Sequence, residues 1–251
     1  VNVDITAVND IPTATGLPTD VTVTEDVASN LNLSSVSLAD VDTTGSLIIS
    51  GDTTFTGEAI APEVAETVRA TARLLESLGH HVEPGRPTAD VAMMMRAWTD
   101  IVAVGTALSI KKALHGRALD ADLVEPVSRS AVAHTASLAP TRYLEAVGEI
   151  HGFGRQMAQY FADGPDILLS ATLAEPPAKI GRFDHSRADY IDYRVGPDGV
   201  FAYSPFCAVF NASGQPAASL PLGWSEDGLP IGIHLAAPFG QDEALIALCA
   251  E

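Results

Sequence analysis

Positive charge is scarce in this sequence. Its 251 residues carry 14 Lys and Arg against 32 Asp and Glu, a formal net charge of −18 at pH 7. Neutralising phosphates takes a basic patch, so nucleic acid is not an expected partner, and an anionic membrane surface is disfavoured. Cysteine is almost missing. Cys207 and Cys249 give neither a disulfide framework nor a CxxC zinc spacing, and both read as small buried hydrophobes. Long apolar runs are missing as well. The longest, IVAVGTALSI at residues 101–110, has about half of the ~20 residues that a membrane span needs, so no membrane insertion is expected. There is no G-x-S-x-G, which removes the exposed serine turn of the α/β-hydrolases. No signal peptide is recognised. The chain opens on Val1 inside a strand-like pattern and stops at Glu251 inside a helix-like one, so both ends read as cut.

What is present supports a packed core. Apolar residues make up 47% and charged residues 18%, and at roughly 150 residues per domain the length allows one or two domains. Composition divides the chain. Residues 1–50 hold seven acids and no Lys, Arg, His, Cys, Met or aromatic residue; all 14 bases follow. VNVDITAV (1–8) and TDVTVTED (19–26) alternate at period two, as strands do, with NDIP and GLPTD as turns.

From about Pro62 the period becomes helical. Pro62 and Glu63 suit a first helical turn, Val64, Val68, Leu75 and Leu78 share a face, and Gly79 suits the stop. HHVEP then reads as a short strand. Further helices are expected at about 88–114, 120–137 and 140–164, the last with Leu144, Val147, Met157 and Phe161 inward. DILLSATL (166–173) reads as a buried strand, and residues 178–200 as loop with a short helix. Residues 217–222 and 229–236 read as strands around WSEDG, whose Asp227-Gly228 pair is a hairpin signal. A closing helix starts at about Gln241. The fold class is α/β: a mixed sheet with surrounding helices, preceded by a short β-rich segment.

Three stretches carry a family resemblance. FNASGQPAASLPLGWSEDGLPIG resembles the C-terminal end of amidase signature enzymes, and ETVRATARLLESLGHHVE and FADGPDILLSATLAEPP resemble further parts of them. The resemblance covers about residues 53–251. It implies a hydrolase of carboxylic amide C–N bonds that acts through a Ser/cis-Ser/Lys triad and needs no cofactor. In such a triad a neutral lysine draws the proton from the nucleophile through a second serine, and loop N–H groups hold the oxyanion. It also implies a small amide substrate, with Thr172, Phe206, Cys207, Asn211, Ser213 and Gly214 bordering its pocket. The chain has no GGSSGG-like loop, and Lys111, Lys112 and Lys179 stand outside the family's lysine context. The expectation is an amidase portion without its own catalytic residues. An incomplete sheet would leave LLSATL and ASLPLG exposed, with self-association through exposed strands.

Residues 1–50 resemble a fragment of bacterial cadherin-like adhesin repeats, on AVNDIP, TVTED and ADVD. That resemblance implies calcium at repeat junctions, with Asp10, Glu25, Asp40 and Asp42 as candidate ligands, since calcium takes six to eight oxygens. The alternatives to an amidase portion are therefore a calcium-binding adhesin module, or a chimeric sequence with no native function, joined between about Ser50 and Gly57. The amidase-like part implies a cytoplasmic protein, and the repeat-like part implies the cell surface.

Other candidates read as structure. His80 and His81 are adjacent, so they point to different sides of a strand, with no further ligand nearby. HGFG (151–154) sits in a helical pattern rather than after a strand. Met93, Met94 and Met95 read as core filling. Cys207 and His234 have no spacing that makes them a thiol–imidazole pair. Ser213 and Ser219 read as scaffold, in a turn and a strand.

Overall fold

A computed structural model of the chain describes residues 13–15, 37–39, 46–119, 123–162 and 164–251. The first elements are two three-residue strands, β1 (Thr13–Thr15) and β2 (Ser37–Ala39), paired antiparallel with Ala14 opposite Leu38. The strands expected at 1–8 and 19–26 lie outside the described residues.

Next come β3 (Ile48–Gly51), α1 (Pro62–Ser77), β4 (His81–Pro84), α2 (Val91–Leu114), α3 (Pro126–Ser137) and α4 (Arg142–Ala162). They are followed by β5 (Ile167–Ala171), α5 (Tyr190–Val195), α6 (Val200–Tyr203) and α7 (Pro205–Ser213). The chain closes with β6 (Ala217–Trp224), β7 (Pro230–Ala236) and α8 (Asp242–Ala250).

Five strands form one sheet in the order β4-β3-β5-β7-β6. β3 runs parallel to both β4 and β5, while β7 runs antiparallel to β5 and β6. A boundary at residues 50–53 would cut β3. Ile49 is wholly buried between β4 and β5, so the sheet starts earlier in the chain than the composition implies.

α1 begins where Pro62 places it, and Gly79, at φ 101°, takes the backbone out of the helix. Its buried face is Val64, Val68, Thr71 and Leu75. Leu78, expected on that face, is exposed. α1 covers β5, β7 and β6 on one side of the sheet, with α8 against β6. α2 starts at Asp90, whose carboxylate accepts from the Met93 amide at 2.8 Å, an N-cap bond. Met94 and Met95 are buried there, as expected of core filling.

α2 has 24 residues and is long and apolar enough to cross a membrane by length and composition, which corrects the ten-residue estimate. In the fold it packs against α3, α4, α5 and α7, and a third of its most apolar window is buried. Asp100 joins three of these helices, taking His134 Nε2 at 2.7 Å and Arg142 Nε at 2.7 Å. Arg142 also forks onto Glu149 at 2.9 and 3.0 Å. These two carboxylates raise the Arg142 pKa, so the guanidinium remains charged. α4 buries Ala146, Ile150, Phe153, Met157 and Phe161; Leu144, expected inward, is exposed.

Candidate functional site

Parallel strands end on one side of the sheet, and that is where α/β folds place ligands. Here β5 ends at Ala171, and Thr172 follows. The Thr172 amide donates to the Gly232 carbonyl of β7 at 3.1 Å. Its hydroxyl meets the Ser219 hydroxyl of β6 at 2.6 Å. β7 lies between those two strands, so the pair has to pass over it. A Cβ added at Gly232 would stand 2.7 Å from the Thr172 hydroxyl and 2.9 Å from that of Ser219. Only glycine leaves room for the two hydroxyls to meet.

α7 covers this end. The Cys207 thiol points to the Thr172 carbonyl at 3.4 Å. Burial pushes the Cys207 pKa up, against a hydrogen bond with Ser204. The group is therefore a protonated donor and not a thiolate nucleophile. Phe206 beside it is wholly buried, its ring centroid 5.5 Å from that of Phe55, on the loop that leaves β3.

The six expected pocket residues do not form one cluster. Thr172, Phe206 and Cys207 meet at the N-terminal end of α7. Asn211, Ser213 and Gly214 stand at its other end, about 9 Å along the axis from Cys207 to Ser213. Ser213 is the last residue of α7 and not part of a turn; its hydroxyl donates to Gln215 Oε1. Asn211 and Gly214 are exposed, and Gly214, at φ 83°, caps the helix through its amide to the Phe210 carbonyl at 2.9 Å.

His234 is the buried titratable group of this region. It sits on β7 directly between Ser170 of β5 and Ser219 of β6. Its ring is 5% exposed, 5.0 Å from the Phe210 ring, and Nδ1 has no hydrogen-bond partner. Burial lowers its pKa to about 4, so the imidazole is neutral near pH 7. The Cys207 thiol bonds to Thr172 and not to His234, so no thiol–imidazole pair forms.

Ser219 and Gly232 were not singled out by sequence reasoning as site residues. A lone glycine inside the apolar strand LPIGIHLA was the available signal, because such a glycine often marks close backbone approach.

Lys111 and Lys112 lie exposed in the last turn of α2, and Lys179 is exposed in a loop. None of the three ammonium groups has a hydrogen bond or ion pair among the described residues. His80 pairs with Glu251 at 2.9 Å and His81 with Glu83 at 3.6 Å. Among the described residues no group of three or more His, Cys, Asp or Glu could hold a metal. Asp10, Glu25, Asp40 and Asp42 lie outside the described residues. A cavity of about 1040 Å³ lies between α2 and α3, away from Thr172. A smaller one, about 270 Å³, borders the loop after β3.

A family model described as Amidase matches residues 28–246. The 6-aminohexanoate-cyclic-dimer hydrolase of Paenarthrobacter ureafaciens is 29% identical over 198 residues, which span 77% of this chain and 40% of that protein. The structure of a 6-aminohexanoate cyclic dimer hydrolase complexed with substrate superposes with a TM-score of 0.74 at 28% identity, covering 83% of this chain and 45% of that one. A bacterial aryl acylamidase of the amidase signature family shares the fold, with a TM-score of 0.59 at 22% identity, over 80% and 42% of the two chains. The chain thus spans less than half the length of the relatives it matches.

Proposed function

The chain belongs to the amidase family, and from that premise we propose that it forms the C-terminal portion of a hydrolase of carboxylic amide C–N bonds. The likeness to the 6-aminohexanoate-cyclic-dimer hydrolases, in sequence and in fold, carries this reading. A small or cyclic amide is the substrate class, and no cofactor takes part. In the whole enzyme a Ser/cis-Ser/Lys triad attacks the amide carbonyl. A nucleophile and its base must stand within about 3 Å of each other, and the side chains of the three lysines are exposed and unpaired among the described residues. With no GGSSGG-like loop either, the chain supplies a wall of the site and not its chemistry. Thr172, Phe206 and Cys207 form that wall at one end of α7, and Asn211, Ser213 and Gly214 continue it at the other. Residues 1–50 are a β-rich fragment and residues 53–251 the amidase portion, with β3 (Ile48–Gly51) paired inside the sheet of the latter. The outer edge of β6 is a place for self-association, and the amidase portion works in the cytoplasm.

Two assays test this. The purified chain should not turn over simple amides or esters; turnover abolished by a serine-directed reagent would refute the missing triad. Fused behind the upstream portion of the Paenarthrobacter hydrolase, the chain should restore amide hydrolysis. A folded but inactive fusion counts against the amidase reading.

A further inference from the structure

One hydroxyl proton beyond the end of β5 has no acceptor. Thr172 and Ser219 bring two hydroxyls to 2.6 Å, and either can donate to the other. Their shared bond uses one of the two protons. The other finds no acceptor among the described residues. The pair is open to solvent, with Ser219 exposed and Thr172 half-buried. A hydroxyl that already accepts a hydrogen bond is the stronger donor. The pair thus offers one good donor with acceptor lone pairs beside it.

The arrangement comes at a cost to the strand that it crosses. Glycine inside a strand packs nothing and weakens it, and Gly232 has no positive φ that would call for glycine. What it supplies is room, since a Cβ there would collide with both hydroxyls. An exposed bond between two hydroxyls gains little in return, because water competes for it. Charge is missing as well. The titratable groups beside the pair are Cys207, whose thiol reaches the Thr172 carbonyl, and His234, opposite Ser219 on β7. Burial keeps both uncharged near pH 7. Such a place suits an uncharged group that accepts and donates at once.

We propose that Thr172 and Ser219 form a specificity-determining pair that holds a primary carboxamide of the substrate. Its carbonyl oxygen takes the free hydroxyl proton, and the N–H on the same side of the amide donates to the other hydroxyl oxygen. The inference deepens the amidase reading and rests on it. The carbonyl that is cut has to lie against the oxyanion donors of a loop this chain lacks, so the pair meets a second polar group of the same molecule.

Titration of the full chain with butyramide, followed through backbone amide signals in NMR, tests it. Binding is expected in the range of about 10 mM, with shifts at Thr172, Ser219 and Gly232. Ser219→Ala and Thr172→Val should each weaken it several-fold. Gly232→Ala, which parts the hydroxyls, should abolish it; should that variant fail to fold, the exposed Ser219→Ala carries the test. Butyrate and butylamine, similar in shape but charged, should bind several-fold more weakly. No shift at these residues, equal shifts with butyrate or butylamine, or shifts unchanged in Ser219→Ala overturn the proposal and leave the pair to water. No turnover is needed, so this outcome is separate from the fusion assay.

Discussion

β5 and β6 have similar letters and opposite fates. ILLSA is buried at all five positions, because β3 and β7 pair with both its edges and α1 packs against it. AASLPLGW contains no fully buried residue, and Leu222 and Trp224 are 45% and 70% exposed. The sequence reading took DILLSATL as a buried strand, and expected both LLSATL and ASLPLG to be exposed if the sheet were incomplete. Of the two it holds for β6 alone, because β6 is an edge strand and has a neighbour on one side only among the described residues. Place in the sheet, and not apolar content, separates them.

The contrast can be broken at its strongest point first. Leu168→Ala on β5 should cost about 2–5 kcal/mol, since it opens a cavity where nothing can collapse; urea melts should show the midpoint fall. A loss below that range would mean β5 is less enclosed than it looks.

Acid acts next, on the strand between the two. The native His234 pKa of about 4 lies below the ordinary value of 6.5, so the unfolded chain takes a proton in this range that the folded chain refuses. Stability from this group is complete above about pH 6.5 and is lost as pH falls towards 4, about 3 kcal/mol in all. Denaturant melts from pH 7 to pH 4 should show the loss, and His234→Gln should flatten it.

Gly232→Ala comes third. The added methyl meets the Thr172 and Ser219 hydroxyls and should cost about 1–3 kcal/mol. In that background, Thr172→Val should cost less than it does alone, because the hydroxyl pair is already parted. Equal cost in both backgrounds would mean that the pair contributes nothing.

The smallest effect belongs to the edge. Leu222→Lys should change stability by less than about 0.5 kcal/mol, yet lower any self-association seen by sedimentation. A large loss of stability there would erase the contrast with β5.

Local signals located most elements, because they act within one or two turns of chain. Pro62 and Gly79 bracket α1, and Asp227-Gly228 marks the hairpin of β6 and β7. α7 was not legible. PFCAVFNAS is apolar almost throughout, so no period distinguishes a helix. In α4 the inward face is Ala146, Ile150 and Phe153, which α2 and α7 select by packing; Leu144 is the more apolar residue but looks outward. Thr172 and Cys207 were named as pocket candidates through resemblance alone, and the structure brings them within hydrogen-bond distance.

By itself, then, the sequence determined a family, a class of fold and the ends of its helices, all properties of short segments. The tertiary structure decided which strand lies at the edge, where β3 belongs, and that Thr172 and Ser219, 47 residues apart, share a hydrogen bond. Those outcomes depend on strand register, and register is settled only when a strand meets both its neighbours.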